Sequence, residues 1–125
     1  RELKTHRGGE WDTIDKVSGL CMLIPRNTLE KVGFIDESYG IGYFEDDDYS
    51  LRVEDAGLRL AVARDVYLHH FGSVSFKGAN LQREKILQGA MAQFAMKWGK
   101  RGLDHVSRVH HGTMIRAKTS QDPSA

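Results

Sequence analysis

Two groups of side chains in this sequence are of the types that carry out acid–base or metal chemistry. The first is a run of four carboxylates, Glu45 to Asp48, and the second is the histidine pair His69 and His70. The acids open a predicted helix over residues 44–57, where the helix dipole stabilises negative charge. Mutual repulsion can raise the proton affinity of one carboxylate, which suits a general base, or can be relieved by a divalent cation. A well-capped, solvated helix N-terminus is the alternative interpretation of the acidic run.

The acidic run lacks the spacing of an EF-hand calcium loop, which requires glycine at its sixth position and glutamate at its twelfth. Counted from Asp46, those positions hold Leu51 and Gly57, and the frame that begins at Asp36 also fails. The acidic run therefore does not predict a calcium loop of this type.

The histidines of the sequence differ in whether their neighbouring residues allow them to bind a metal ion. Because adjacent residues on a strand point to opposite faces, at most one of His69 and His70 can join carboxylates around one metal ion. The histidines nearer the end of the chain have no partner motif and are predicted to be solvated; they are His105, His110 and His111.

Apolar patterns predict the elements that position these groups. The apolar run 17–24 predicts a strand buried on both faces, and residues 26–32 predict a short helix that stops at Gly33. Alternation over residues 58–68 predicts one or two further strands. Apolar residues at steps of three and four predict a helix over residues 80–98.

The two ends of the chain are polar. Residues 1–15 predict a loop or frayed end, and residues 99–125, which follow the natural helix stop at Gly99, predict an extended or disordered tail. The interpretation is one domain over residues 1–98 followed by a polar tail.

Within the acid-led helix, Tyr49 and Val53 share one face and Leu51 lies nearly opposite. This predicts a helix packed on more than one side, with its acidic turn at an exposed mouth. Asp48 and Arg52 stand one turn apart and are predicted to pair, in a mainly structural role.

Composition excludes several classes of protein. Eighteen basic and seventeen acidic residues leave a net charge of +1, which gives no general attraction to nucleic acid or to anionic membranes. No stretch is long and apolar enough to span a bilayer. The single cysteine, Cys21, cannot form an internal disulfide and is interpreted as a packed hydrophobe in a reducing, cytoplasmic compartment.

An ordered set of motifs over residues 17–76 is similar to the family 2 glycosyltransferases, which have the GT-A fold. Each motif alone is weak, but their order and spacing together are specific. The segments that carry the resemblance are residues 17–26, 29–37, 44–52, 56–57 and 66–73.

The resemblance implies an α/β fold with a mixed sheet flanked by helices, and transfer of a sugar from a nucleotide-diphospho-sugar to an acceptor hydroxyl, usually with inversion. Asp46 would be the general base and Glu45 would orient the acceptor, while His70, from the His-x-Gly motif, would help hold a divalent metal, Mn or Mg. Asp47, where the family often has an apolar residue, leaves the assignment of the base between Asp46 and Asp47 open.

The resemblance also implies an acceptor that the chain binds, and it shows which features of the family this sequence lacks. The glycine-rich loop, with Tyr39, Gly40, Gly42 and Tyr43, would bind the acceptor, which is a glycan, a lipid-linked sugar or a protein, as in cell-wall or polysaccharide biosynthesis. The family's nucleotide-binding half and its Asp-x-Asp metal motif are not in this sequence. The chain alone is therefore expected neither to bind a nucleotide-sugar donor well nor to turn it over. The resemblance leaves room for membrane association of the full-length protein.

Two other classes remain open. A non-catalytic sugar- or partner-binding module can reuse the same fold, and a stand-alone metal-binding domain can use the acidic turn with His70. In each case we expect an apolar sheet edge or face to be covered by a homodimer or another chain.

Overall fold

The computed structural model describes residues 9–69 and 82–119, with side chains up to residue 109 in the last helix. Together the elements form a fold that is α/β in the broad sense. In chain order they are strand β1 (Trp11–Ile14), helix α1 (Arg26–Val32), a 3₁₀ helix (Glu37–Tyr39), helix α2 (Glu45–Asp55), strand β2 (Leu60–Ala63) and helix α3 (Arg83–Thr119).

The two strands pair in antiparallel fashion, with Trp11 opposite Ala63 and Ile14 opposite Leu60. The prediction of a loop over residues 1–15 is therefore wrong for Trp11–Ile14, because this short segment finds a ladder partner in β2. The predicted strand within residues 58–68 is confirmed. Within residues 9–69 and 82–119 the sheet has these two strands, so the larger mixed sheet is not seen there.

Helices α1 and α2 lie where the sequence predicts them, and both end at glycines with left-handed backbone. Gly33 has a φ of 87° and its N–H donates to Leu29 O, which satisfies a terminal carbonyl of α1. Gly57, with a φ of 70°, follows the end of α2 in the same way.

The predicted buried strand over residues 17–24 is wrong. This segment is irregular, Leu23 is 95% exposed, and Cys21 is exposed rather than packed as the sequence predicts. Two of its backbone N–H groups donate to helix α2 instead of to a sheet: Val17 N–H to Ser50 Oγ at 3.2 Å and Gly19 N–H to Asp46 Oδ2 at 3.2 Å. A short apolar run favours a strand only where a neighbouring strand can pair with it, and here the segment lies against the acidic turn.

Helix α3 begins near the predicted start, but it does not end at Gly99. Gly99 adopts a φ of 51° and a ψ of −135°, which kinks the helix, and helical backbone resumes and continues to Thr119. The predicted extended tail is therefore wrong over residues 100–119. The physical reason is packing: Gly102 and His105 are buried, and Val106 packs against the core.

The core lies between α2, the 3₁₀ helix and α3. Phe44 and Phe94 stack with their ring centroids 5.1 Å apart, and Trp98 and Val106 pack on the same cluster from α3. The buried members of this core are Tyr39, Leu51, Ala90 and Phe94. Among the helices of the described ranges, none is long and apolar enough to cross a bilayer.

Candidate active site

A cleft of about 480 Å³ opens at the N-terminus of helix α2. Three elements form its walls: the irregular segment before α1, the glycine-rich loop with the first turn of α2, and helix α3. Its floor is acidic and its sides are largely apolar. The lining residues are Lys16, Ser18, Gly19, Leu20, Ile41, Gly42, Tyr43, Phe44, Glu45, Asp46, Asp47, Leu87, Val106 and Val109.

The loop that enters α2 is strained. Tyr43 and Phe44 are consecutive non-glycine residues with positive φ, at 71° and 65°. A left-handed conformation costs a side-chain-bearing residue roughly 1–2 kcal/mol, and such strain concentrates at functional sites. Arg83 of α3 donates from Nε to Tyr43 Oη at 2.8 Å, and Phe44 stacks on Phe94, so α3 supports this loop conformation.

Asp46 is a partly exposed carboxylate on the cleft floor. Its Oδ2 accepts from the backbone N–H of Gly19 at 3.2 Å, and its Oδ1 accepts from the backbone N–H of Asp47 at 2.9 Å. The ammonium of Lys16 lies 3.3 Å from Oδ1. Both oxygens are thus oriented by fixed donors, while the side chain keeps access to the cleft.

Glu45 stands beside Asp46 in a different environment. Within the described part of the chain, its buried Oε2 has no hydrogen-bond partner. Burial raises the pKa of Glu45 above its ordinary value, and the charges of Asp46 and Asp47 act in the same direction. A side chain at position 19 would crowd it, because a Cβ there would lie 3.3 Å from Glu45 Oε1. Gly19 therefore leaves room for the Glu45 carboxyl group.

Asp47 is buried and engaged by two partners. Lys16 Nζ donates to its Oδ2 at 2.5 Å, and His105 Nε2 lies 3.1 Å from its Oδ1. Burial alone would raise the pKa of Asp47, but the hydrogen bonds from His105 and Lys16 lower it overall. Asp47 is therefore held as an anion.

Asp48 is fully buried and joins three elements. Arg52 Nε donates to its Oδ2 at 2.9 Å, as predicted for this pair, and Trp98 Nε1 donates to its Oδ1 at 2.8 Å. Tyr39 Oη and Lys97 Nζ approach the same Oδ1 at 3.2 and 2.8 Å. Asp48 thus ties the 3₁₀ helix and α3 to α2. The acidic turn as a whole is not the exposed mouth that the sequence predicts, since Asp47 and Asp48 are buried.

The structure brings some of the sequence-predicted site residues together and separates others. Gly42 and Tyr43 line the cleft with Glu45 and Asp46, whereas Tyr39 and Gly40 are not among the lining residues. Tyr39 is a core residue whose hydroxyl donates to Asp48. His70, the expected metal ligand, lies outside the described residues.

Two residues that contact the acidic turn, Lys16 and His105, were not assigned to the site from the sequence. His105, which was predicted to be solvated, is 2% exposed because the resumed half of α3 carries it onto Asp47. The signal for it is the apolar stripe of α3, which continues past Gly99 through residues 102, 105, 106 and 109 at steps of three and four. Lys16 carries no comparable signal, because its partners lie 30 and 31 positions away.

The acidic turn does not by itself fit a divalent cation. No group of three or more histidine, cysteine or carboxylate side chains with metal-binding geometry occurs within residues 9–69 and 82–109. Lys16 Nζ lies between Asp46 Oδ1 and Asp47 Oδ2, at 3.3 and 2.5 Å, where a shared cation would be placed. The ammonium therefore already compensates these two charges.

Comparison with known proteins gives no relative: no family model matches the chain, and neither the curated proteins nor the solved structures contain a significant match.

Proposed function

We propose that this chain is the acceptor-side part of a glycosyltransferase with a GT-A-like fold. The observation that carries the proposal is the convergence of two carboxylates of unlike environment, Glu45 and Asp46, in one cleft walled by the glycine-rich loop. One is oriented by backbone N–H groups and an ammonium, and the other has a buried oxygen without a partner among the described residues. A cleft with apolar sides and a few convergent polar groups suits a sugar-bearing acceptor.

In the proposed reaction, Asp46 takes the proton of an acceptor hydroxyl as the O–H bond breaks. The hydroxyl oxygen forms a bond to the anomeric carbon of the donor sugar. The bond from that carbon to the diphosphate oxygen breaks, and its electron pair leaves with the nucleoside diphosphate. Attack opposite the leaving group inverts the anomeric configuration. Glu45 orients the acceptor by hydrogen bonding to it.

The contacts of the acidic turn favour Asp46 over Asp47 as the base. Asp47 is buried, and its two oxygens are taken by Lys16 and His105. A base must reach the proton that it removes, either directly or through one water. Asp46 is the more exposed of the two carboxylates and lies on the cleft floor.

The donor side of the proposal depends on parts of the protein beyond this cleft. The nucleotide-diphospho-sugar would be held by the family's nucleotide-binding strands, and a Mn or Mg ion on its diphosphate would neutralise the leaving group. His70 is the proposed contribution of this chain to that metal. We also propose that a homodimer or a partner half covers exposed apolar side chains such as Leu23 and Phe34, which are 95% and 77% exposed.

The test uses the full-length gene product with UDP-, GDP- and TDP-sugars, a panel of acceptors, and Mn or Mg. Asp46→Asn is expected to lower kcat by a factor on the order of 10² to 10⁴, the usual contribution of a general base. The matched control is Asp55→Asn, the same substitution at the exposed end of helix α2, where the carboxylate pairs with Arg101. Asp55→Asn should leave turnover within about twofold of wild type, since surface pairs contribute little.

The outcomes separate the alternatives. Turnover that survives Asp46→Asn but is lost in Asp47→Asn would move the base to Asp47. A folded full-length protein that turns over none of the donors would favour a non-catalytic module that binds a sugar or a partner.

A further inference from the structure

A chain of side-chain contacts runs from the second half of helix α3 to the proposed base. His105 contacts Asp47, Asp47 accepts from Lys16, and Lys16 lies against Asp46 Oδ1, at 3.1, 2.5 and 3.3 Å. The inner members of this chain are buried, His105 at 2% and Asp47 at 5% exposure. The backbone N–H of Asp47 adds a second link, because it donates to the same Asp46 oxygen.

The direction of the hydrogen bonds follows from the chemistry of the groups. Arg108 NH2 lies 3.5 Å from His105 Nδ1, and a guanidinium only donates, so Nδ1 is the acceptor. The ring proton is then on Nε2, which donates to Asp47 Oδ1. In this arrangement the imidazole carries a proton on Nε2 and lies between a donor on one side and a carboxylate on the other.

We infer that His105 is a positioning residue, which acts through Asp47 and Lys16 to hold the Asp46 carboxylate in its orientation toward the acceptor. With His105 in place, Asp47 Oδ1 is satisfied, and the Lys16 ammonium is shared between Asp47 and Asp46. Without the Nε2–H donor, Asp47 would be a buried anion with one partner and would draw Lys16 away from Asp46. The inference rests on the proposed function, because it assigns His105 a part in placing that function's base.

The charged groups around this chain of contacts are few. Asp46 faces Lys16, Asp47 and Glu45, and His105 faces Asp47 and Arg108. Lys16 is the cation within 4 Å of Asp46 among the described residues, so its displacement would leave Asp46 Oδ1 with the backbone N–H of Asp47 as its donor. A purely structural histidine would lack this effect on the placement of the Asp46 carboxylate.

The experiment uses the full-length protein and two substitutions at one position. His105→Gln keeps an amide donor at about the place of Nε2, whereas His105→Leu keeps the volume but removes the donor. In His105→Leu we expect kcat to fall on the order of 10²-fold with the donor KM within twofold, as for a misplaced catalytic group. His105→Gln should recover most of the lost kcat at an unchanged KM. Asp104→Asn, an exposed neighbour in α3 that pairs with Lys100, is the matched control and should change neither.

A second measurement is independent of activity. Two-bond ¹H–¹⁵N correlation spectra of the wild-type histidine rings should show His105 with its proton on Nε2. A ring protonated on Nδ1 alone, or a kcat that falls equally in both variants, would overturn the inference. If the wild type has no transferase activity but the Nε2–H tautomer is found, the proposed function fails while the contact chain stands. If His105→Leu does not fold, the ring tautomer and the kcat of His105→Gln still decide.

Discussion

At the scale of single residues, the four adjacent acids of helix α2 occupy four different environments. Asp48 is a fully buried structural anion, and Asp47 is a buried anion held by Lys16 and His105. Asp46 is oriented by backbone donors in the cleft, and Glu45 keeps an oxygen without a partner among the described residues. Because the carboxylates of one sequence run differ this strongly in burial and in hydrogen-bond partners, the proposed general base can lie beside acids that only support the fold.

Glu45 gives a prediction about stability. A carboxyl group whose pKa is raised in the folded state binds its proton more tightly there than in the unfolded chain. Stability therefore falls as pH rises from the unfolded pKa, near 4.3, through the folded pKa, and the loss persists at higher pH. Glu45→Gln removes the charge while keeping the shape, so at pH 7 it should increase the free energy of unfolding by an amount on the order of 1 kcal/mol.

Chemical denaturation of both proteins at pH 7 and at pH 4 measures this difference. At pH 4 the gain should be smaller than at pH 7, because the destabilisation that comes from the raised pKa of Glu45 is lost as pH falls. A Glu45→Gln protein that is less stable than wild type at pH 7 would show that the buried oxygen has a partner outside the described residues. The matched control is Glu30→Gln on the exposed surface of α1.

At the scale of elements, the sequence predicts the helices better than the strands. Helices α1 and α2 carry their signals locally, in periodic apolar residues and in glycines at their ends. Strand β1 has no such local signal, since it is defined by pairing with β2, some 50 positions away. The apolar segment at residues 17–24 shows the converse, because it has strand-like composition but bonds to the acidic turn. Pairing over long separations is what a single sequence does not reveal.

The kink in α3 likewise depends on packing that a single sequence does not reveal. Gly99 is a natural helix stop by its residue type, but the packing of the next turn overrides the stop. Four residues that the sequence singles out line the cleft, Gly42, Tyr43, Glu45 and Asp46, and they lie within one short segment, whereas Tyr39 and Gly40 do not line it. The supports of the site from Lys16 and His105 were not predictable, because they come from elements brought together only in the folded chain.

Two glycines of α3 provide a paired prediction about this element. A Cβ at Gly102 would lie 2.8 Å from Trp98 Cβ and 2.9 Å from Phe94 Cε1, so the turn after the kink can pack there only without a side chain. Gly102→Ala should destabilise the protein by about 1–3 kcal/mol, the usual cost of overpacking. Gly89 has nothing within 4 Å of such an atom and has no left-handed backbone, so Gly89→Ala should stabilise by about 0.5–1 kcal/mol.

Thermal and urea unfolding of the two variants test the pair. Because Gly102 lies one turn before His105, Gly102→Ala should also perturb the His105 ring signals, whereas Gly89→Ala should leave them in place. Equal stability changes of one sign in both variants would contradict the assignment of Gly102 as a packing position.

At the scale of the whole molecule, a cluster of polar side chains around Asp48 lies at the centre of the fold, where a larger protein would have more apolar core. The buried apolar residues of the described chain are few, and Asp48 connects the same elements that the apolar core of Tyr39, Leu51 and Phe94 joins. Arg52 extends the connection to the end of α1, donating to Val32 O at 3.0 Å and to Phe34 O at 2.9 Å. The carboxylate of Asp48 and the guanidinium of Arg52 thus connect the 3₁₀ helix, α1, α2 and α3.

This arrangement predicts that Asp48→Asn is among the most damaging conservative substitutions in the chain. Asparagine has nearly the same shape, but it removes the shared anion of Arg52 and Lys97 at a fully buried position. Breaking a buried ion pair by removing one partner costs about 3–5 kcal/mol. The side chains of Arg52 and Lys97 are 20% and 36% exposed, so we expect a cost toward the lower end of that range. That is a large fraction of the roughly 5–15 kcal/mol that stabilises a typical domain.

The control is Asp104→Asn, which removes an exposed pair with Lys100 and should cost less than about 1 kcal/mol. Urea unfolding at pH 7 compares the two variants directly. A cost below about 1 kcal/mol for Asp48→Asn would mean that the apolar contacts of Phe44, Phe94 and Leu51 hold the helices together without this cluster of polar side chains.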